Sequence, residues 1–285
     1  MSPWCAFLVR LRFYAQFLVS ITLLLHSFGH GTAAQQTTTA VGAAVSKDPQ
    51  AVAIVQNALA AMGGASALAA YQDSVANGTV VVYMNNPSPI SMPIVLKSKG
   101  LDKTRADVQT PHGQVTRTVN MGIGARQRAD GTIQNLELQN TLAQTVEHIP
   151  LVSLGKYSDT NMSIEYLGSA TLDGKAVDIV GFHPLVVSAI SKTDWDQKIR
   201  QTKYYVDTGI SVVTKIAYPQ FGENHSESVT QVEVLFTNYK DMSGILVPLT
   251  QTTYFDGKLE SILQLDSVAF NVGLPDAEFE PPTVK

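Results

Sequence analysis

The sequence predicts an α+β protein in which one large, curved antiparallel sheet is covered by a few helices. Three observations carry this prediction: long alternating strands near the C-terminus, a second set of alternating strands nearer the N-terminus, and helical periodicity in only a few short segments. About ten or eleven strands are expected, and a sheet of that size must curl because the twist between neighbouring strands accumulates. The helices are then the natural cover for its concave face.

The strongest strand signal lies between residues 228 and 271. Three runs alternate with period two, namely Val229 to Tyr239, Ile245 to Phe255 and Leu259 to Phe270. In the first run Val232, Val234 and Phe236 face the same way, which is typical of a strand with one buried face. The Asp256-Gly257 pair between the second and third runs suits a type I′ hairpin turn. This stretch is therefore predicted to be a three-stranded meander.

The N-terminal half is predicted to begin with a helix and to continue as a meander. Asp48-Pro49 supplies an N-cap and a first-turn proline, and Gly63-Gly64 stops the helix. A short helical piece over Ala65 to Tyr71 leads into the sheet. Five strands are then expected, from Asp73, and over Ser91 to Lys99, Lys103 to Gln109, Gln114 to Asn120 and Ala125 to Ala129.

The middle of the chain interrupts the strands with helical or irregular segments. Asn135 to His148 fits a helix better than a strand, and a second short piece runs from Pro150 to Tyr157. Four more strands are then expected, over Ser163 to Gly168, Ala176 to Phe182, Ile199 to Val206 and Ser211 to Tyr218. The tail from Gly273 carries three prolines and is expected to lie across the sheet or to hang free.

The first 34 residues have the order of a secretory signal peptide. Two arginines precede an apolar core at residues 13–28, and small residues follow it, so we expect cleavage after Ala33 or Ala34. A membrane anchor is the alternative, but the apolar run is short for a span. The protein is expected to be exported to the periplasm or the extracellular space. The predicted organisation is a signal peptide at 1–34, a flexible leader at 35–47 and a single domain at 48–285.

Without residues 1–34 the chain is acidic and has no cysteine. The full chain has 20 Lys and Arg against 24 Asp and Glu, a net charge of −4, and the first 34 residues hold two of the basic and none of the acidic ones, which leaves −6. No basic patch is expected to neutralise phosphates, which argues against nucleic acid as a partner. The fold needs no disulfide and must depend on its core.

No catalytic or metal-binding pattern emerges from the residues. The histidines after residue 34 are scattered without ligand spacing, so surface or turn positions are expected for His112, His148, His183 and His225. The Gly122-Ile123-Gly124 run lacks the third glycine and the following helix of a dinucleotide site. We therefore expect a protein that is not an enzyme and that needs no cofactor and no metal.

Several local patterns together resemble one family of exported bacterial proteins. They are the helix ending in Met62-Gly63-Gly64, the strand with Lys103-Thr104-Arg105-Ala106-Asp107, the hairpin start at Lys203 to Ile210, Tyr239-Lys240-Asp241, Gly244 to Pro248, and a last strand ending in Phe270-Asn271 before Phe279-Glu280-Pro281-Pro282. The chain resembles the outer-membrane lipoprotein-sorting superfamily of bacterial envelope proteins, whose best-known members are LolA and LolB. The resemblance covers most of the chain after the signal peptide, and it rests on strand lengths and turns.

The resemblance implies an unclosed half-barrel capped by helices, with lipid acyl chains held between sheet and helices. It implies that Arg105 stands where family members often keep a strand arginine, and that apolar inward positions line the cavity. The other expected lining residues are Val80, Val82, Met92, Ile94, Leu96, Val234, Phe236, Leu263 and Leu265. An acyl chain would gain about 0.8 kcal/mol for each methylene buried there.

Two functions are consistent with these expectations. The first is an exported carrier or chaperone that binds lipids or acylated proteins and contacts the membrane transiently. The second is a structural or interaction module whose core is filled and whose sheet meets an envelope protein partner. A continuous apolar cavity would favour the carrier, whereas a long unprotected edge strand would favour the interaction module.

Overall fold

The computed structural model describes most of the chain that follows residue 44. The described residues are 45–83, 88–136, 140–141, 148–184, 201–222 and 228–283. The predicted signal peptide and residues 35–44 of the predicted leader lie outside these ranges. At the end of the leader, Lys47 forms a parallel bridge with Ile164, which donates its N–H to the Ser46 carbonyl at 2.8 Å.

The described strands form one antiparallel sheet of thirteen strands. In chain order they are β1 (Asp73–Val82), β2 (Ile90–Lys99), β3 (Lys103–Thr110), β4 (Gly113–Asn120), β5 (Ile123–Gln127), β6 (Ile133–Asn135), β7 (Met162–Leu172), β8 (Lys175–Pro184), β9 (Thr202–Asp207), β10 (Val213–Phe221), β11 (Val229–Met242), β12 (Ile245–Phe255) and β13 (Lys258–Phe270). Their order in the sheet is β6-β5-β4-β3-β2-β1-β13-β12-β11-β10-β9-β8-β7. The ends β6 and β7 do not pair, so the sheet is open, and the predicted unclosed half-barrel is confirmed.

The chain order explains where the sheet opens. All neighbours in the sheet are consecutive in the chain except β1 and β13, which pair at its middle. The consecutive strands β6 and β7 are instead separated by a segment that contains the helix α3 (Pro150–Leu154). The described strands outnumber the expected ten or eleven, and β6, with three residues, is too short for an alternating pattern to be recognised in the sequence.

The C-terminal meander forms as the sequence predicts. Strands β11, β12 and β13 are neighbours in the sheet, and their register places Thr253 opposite both Val234 and Ser261. At the turn between β12 and β13, Asp256 and Gly257 have φ values of 48° and 75°. A type I′ hairpin turn requires a positive φ at both central residues, so the prediction from the Asp-Gly pair is confirmed.

The first helix, α1 (Pro49–Ala61), begins where the sequence predicts. Its N-cap is Asp48, whose Oδ1 accepts the backbone N–H groups of Gln50 and Ala51 at 2.8 and 3.0 Å. These bonds satisfy two of the N–H groups that the first turn of a helix leaves free. The cap therefore stabilises the start of the helix through contacts between neighbouring residues alone.

The second helix, α2 (Gly64–Ala70), follows α1 after a bend of 76°. Gly63 makes this bend with a φ of 139°, and a Cβ added there would lie 2.7 Å from the carbonyl oxygen of Gly244. Only glycine fits such a position. No single helix in the described ranges is long and apolar enough to cross a membrane, and α1 and α2 reach that length and composition only as a bent pair.

The hydrophobic core lies between the sheet and the helices α1 and α3. Helix α1 lies over β7 and β8, and α3 lies over β12. The buried residues of α1 are Ala51, Val55, Ala58 and Leu59, and all five residues of α3 are buried. They pack with strand residues of one sheet face, among them Val234, Phe236 and Leu265. The covered face is the concave face of the half-barrel.

The C-terminal tail lies across the opposite, outer face of the sheet. Lys97 and Arg105 stand opposite each other on β2 and β3, and both reach Glu278. The Lys97 ammonium is 2.8 Å from the Glu278 carboxylate, and Arg105 Nη1 donates to its backbone oxygen at 3.2 Å. The next residue, Phe279, is fully buried against β3 and β4. Of the two predicted alternatives for the tail, lying across the sheet is the one observed.

Candidate functional site

A cavity of about 640 Å³ opens on the concave face of the sheet. Strand side chains alternate between the two faces, so every second residue of a strand that crosses this region faces the cavity. The apolar and aromatic part of the wall consists of Leu96, Ala106, Tyr218, Phe221, Val232, Val234, Phe255 and Leu263. These residues come from β2, β3 and β10 to β13, so the cavity depends on the pairing of β1 with β13 that joins the two halves of the sheet.

The cavity includes four of the ten residues that were expected to line it. They are Leu96, Arg105, Val234 and Leu263. The other six are absent from its described wall: Ile94, Phe236 and Leu265 are buried, and Val80, Val82 and Met92 are half-buried. Val80 stands directly opposite both Met92 and Leu263. The half-buried residues Val80, Val82 and Met92 therefore lie on the same face of the sheet as the cavity, but outside the cavity itself.

The guanidinium of Arg105 is held by acidic and backbone groups of the outer face. Its Nε donates to Asp107 at 2.8 Å, and Nη1 donates to the backbone of Glu278. Burial alone would raise the pKa of Asp107, but the hydrogen bonds from Arg105 and Thr116 outweigh it and hold that pKa below its usual value. Arg105 therefore contributes to the cavity wall while its charge is bound to Asp107 and the tail.

Asn140 and Thr141 contact strands from the two halves of the sheet. Thr141 packs against Gly124 of β5, where an added Cβ would lie 2.8 Å from its methyl group. Asn140 reaches β10 with a reciprocal pair of bonds: its Nδ2 donates to the Phe221 carbonyl, and the Phe221 N–H donates to its Oδ1, each at 2.8 Å. Residues 137–139 and 142–147 of the helix predicted over Asn135 to His148 lie outside the described residues.

Sequence reasoning did not single out two cavity-lining arginines. The register places Ala106 opposite Arg117 on β4, and Arg117 opposite Arg126 on β5. Residues that are directly opposite in a sheet face the same way, so both arginines share the face of Ala106, and both line the cavity. The alternation of Val115, Arg117 and Val119 along β4 was the signal that could have identified the first of them.

Two histidines are buried, although surface or turn positions were expected. His148 is 7% exposed and lines the cavity, while Gln251 donates to its backbone oxygen at 3.3 Å. Burial lowers the pKa of His148 from 6.5 to about 4, so its imidazole is neutral at pH 7. His183 is 8% exposed, and its Nε2 is 2.8 Å from Glu165. His148 does lie in a turn, as expected, whereas His183 lies in β8. The burial of both histidines was not predicted, because spacing in a sequence gives no measure of burial.

Within the described ranges, no group of three or more His, Cys, Asp or Glu side chains could hold a metal ion.

Comparison with solved structures identifies the fold. No protein-family model and no curated protein sequence matches this chain. An outer membrane lipoprotein-sorting protein domain from Vibrio parahaemolyticus has a TM-score of 0.52 and 15% identity, over 81% of this chain and 96% of that one. A LolA superfamily protein from Nitrosomonas europaea has the same TM-score and 11% identity, over 81% of this chain and 97% of that one.

The chain has the LolA-like fold. A DUF1329 family protein from Desulfovibrio piger is similar to the same degree, with a TM-score of 0.52, 12% identity, and coverage of 81% of this chain and 97% of that one. The resemblance drawn from the sequence is thus confirmed at the level of the fold. In this LolA-like sheet the cavity lies where β2 and β3 approach β10 to β13 across the concave face.

Proposed function

We propose that this protein is an exported, non-catalytic carrier that holds the acyl chain of a lipid or acylated protein in the cavity on the concave face. The observation that carries the proposal is the cavity itself, about 640 Å³ in volume, whose wall includes apolar side chains from both halves of the sheet, among them Leu96 and Val234. Pockets of about 300–1,000 Å³ are typical of sites for small ligands. Export is supported by the signal-peptide pattern of residues 1–34.

The energetics favour an acyl chain as the occupant. Each methylene transferred from water to an apolar wall contributes about 0.8 kcal/mol, so a chain of ordinary length can offset the cost of immobilising it. The wall also continues into the buried core through Val232 and Val234, which are 1% and 4% exposed. These side chains are already packed in the core without a ligand, which limits the ordering cost of binding.

The test is native mass spectrometry of the chain from residue 35 onward, first as purified from an exporting host and then after delipidation and addition of oleate. We expect one bound acyl compound per protein. Thr253 lines the cavity, so Thr253→Phe should fill it and abolish uptake. Thr252→Phe is the matched control, because this neighbour on β12 faces the other way and should leave uptake unchanged.

The carrier proposal would be wrong if the wild-type protein carried no lipid and took up no offered fatty acid or phospholipid. Equal uptake by the Thr253→Phe and wild-type proteins would show that acyl compounds bind somewhere other than the cavity. The thermal unfolding midpoint of each variant would show whether a loss of uptake reflects filling or misfolding.

The second candidate, an interaction module, is favoured by one observation. Strand β7 is an end of the sheet, and among the described residues its outer edge pairs only with Lys47 at Ile164. Its later residues, Gly168 to Leu172, therefore present an edge to which an extended peptide could add a strand. Replacing Ala170 with proline would block such pairing, and loss of a co-purifying envelope protein without loss of acyl uptake would support this function.

Transient membrane contact belongs to the carrier proposal, since a lipid must be collected and released. Two large apolar side chains are exposed where β4 turns into β5, Met121 in the turn at 73% exposure and Ile123 at the start of β5 at 71%. We expect the double variant Met121→Asp and Ile123→Asp to sediment less with phospholipid vesicles than the wild type. Unchanged sedimentation would remove this turn from the proposal.

A further inference from the structure

A row of side chains on the concave face leads from the apolar part of the cavity to two cations. On β2, β3, β4 and β5 the register aligns Leu96, Ala106, Arg117 and Arg126 side by side. All four line the cavity. Because residues directly opposite each other in a sheet face the same way, an elongated ligand along this row would pass from apolar to cationic surroundings.

Cations predominate among the described charged residues of the cavity wall. They are Lys97, Arg105, Arg117 and Arg126, and Glu260 is the one described acid. Lys97 and Arg105 meet Glu278 and Asp107 on the outer face. Arg117 and Arg126 lie on the concave face beside Ala106. A concave, low-dielectric wall strengthens the field of such cations and attracts an anion.

A buried polar atom in the same cavity makes no hydrogen bond to any described residue. It is Nε2 of His148, whose side chain is buried and lines the cavity. A buried polar group without a partner costs about 1–3 kcal/mol, so it indicates a ligand atom that completes it. The neutral imidazole can donate or accept one hydrogen bond, depending on its tautomer, and carries no charge of its own.

We propose that the cavity binds a single-chain amphiphile with an anionic head, a carboxylate or a phosphate monoester, whose head meets Arg117 and Arg126. This inference rests on the proposed carrier function and names its ligand class. The planar guanidinium of an arginine can donate two parallel N–H···O hydrogen bonds to a carboxylate or a phosphate. The volume of about 640 Å³ lies in the range for one small ligand. This volume favours a ligand with one acyl chain over a lipid anchor with several acyl chains.

The head-group test compares oleate, methyl oleate and oleoyl lysophosphatidic acid by titration calorimetry on the delipidated protein. Methyl oleate has the same chain but no charge. We expect the two anionic compounds to bind about 10- to 100-fold more tightly than methyl oleate, the ratio that corresponds to one or two charge-assisted hydrogen bonds. Tighter binding of the phosphate compound would assign the head as a phosphate monoester, and tighter binding of oleate would assign it as a carboxylate.

The two arginines are tested by the double variant Arg117→Gln and Arg126→Gln. We expect it to bind oleate and methyl oleate equally and to retain the wild-type affinity for methyl oleate, which also shows that it is folded. The matched control is Arg128→Gln, which removes the same charge from an exposed arginine bonded to Gln134. It should keep the full preference for oleate.

Equal binding of oleate and methyl oleate by the wild type would contradict the proposed anionic head group but not the proposed carrier function. This comparison does not depend on any variant. If Arg128→Gln also lost the preference for oleate over methyl oleate, that preference would depend on the overall charge of the protein. The proposed role of the cavity arginines would then be wrong. Displacement of oleate by inorganic phosphate alone would show a site for a free anion instead. If none of the chain compounds binds, the carrier proposal itself fails.

Discussion

Acidification should destabilise this protein through one buried histidine. In an unfolded chain His148 binds a proton near pH 6.5, whereas burial lowers its pKa to about 4 in the fold. Between these values the unfolded chain binds more protons than the folded one, so the free energy of unfolding falls as the pH decreases. The stabilising contribution is fully present above pH 6.5 and is lost as the pH falls toward 4.

The magnitude follows from the two pKa values. Each pKa unit corresponds to about 1.4 kcal/mol, so the complete effect is about 3 kcal/mol. Between about pH 7 and about pH 4.5 most of it is realised, roughly 2 kcal/mol. Since His148 is 7% exposed, solvent screening reduces this value little. A loss of this size is a large fraction of the stability of an ordinary domain.

The assay is urea unfolding of delipidated protein at both pH values, for the wild type and His148→Gln. Glutamine is polar but does not titrate in this range, so the variant should lose roughly 2 kcal/mol less than the wild type on acidification. His112→Gln is the control, because His112 is an exposed turn residue, and it should behave as the wild type does. The same pH dependence in His148→Gln and wild type would refute the reasoning.

Three further predictions concern contacts that join distant parts of the chain. Asp73→Ala removes a buried carboxylate that accepts the N–H groups of residues 272–274 at 2.7–3.1 Å, so urea unfolding should show a loss of about 2–4 kcal/mol, and Asp73→Asn should lose less. Phe279→Ala empties a fully buried site and should cost about 3–5 kcal/mol, with faster proteolysis of the tail; undiminished stability would contradict its packing on the outer face. Gly78→Ala would place a Cβ 2.1 Å from the Gln264 carbonyl oxygen, so it should cost about 3 kcal/mol or more, and a variant as stable as the wild type would contradict the close approach of β1 and β13.

Local signals in the sequence were dependable wherever neighbouring residues decide the structure. The Asp48 cap and the Asp256-Gly257 turn were both identified correctly, because capping and positive φ involve only a few consecutive residues. Alternation in β11 also assigned Val232, Val234 and Phe236 to one buried face. The large curved sheet and its helical cover followed from the number and length of such segments, whereas the open edge of the sheet was implied by the family resemblance.

The cavity shows where this reasoning reaches its limit. Val80 and Val234 have the same character in the sequence and lie on the same face of the sheet, yet only Val234 lines the cavity. Alternation along a strand determines the face of a residue but not what covers that face. The cover comes from segments far away in the chain, such as Asn140, which bonds to Phe221.

The sequence by itself determined the α+β class, the strands and their faces, and the acidic, cysteine-free character of the chain after its signal-peptide pattern. Only the tertiary structure decided the pairing of β1 with β13, the burial of His148, and the alignment of Arg117 and Arg126 beside the apolar wall. The physical reason is sequence distance. Short-range preferences depend on consecutive residues, whereas a cavity and its charge depend on strands that lie up to about 150 positions apart in the chain, as Arg117 and Leu263 do.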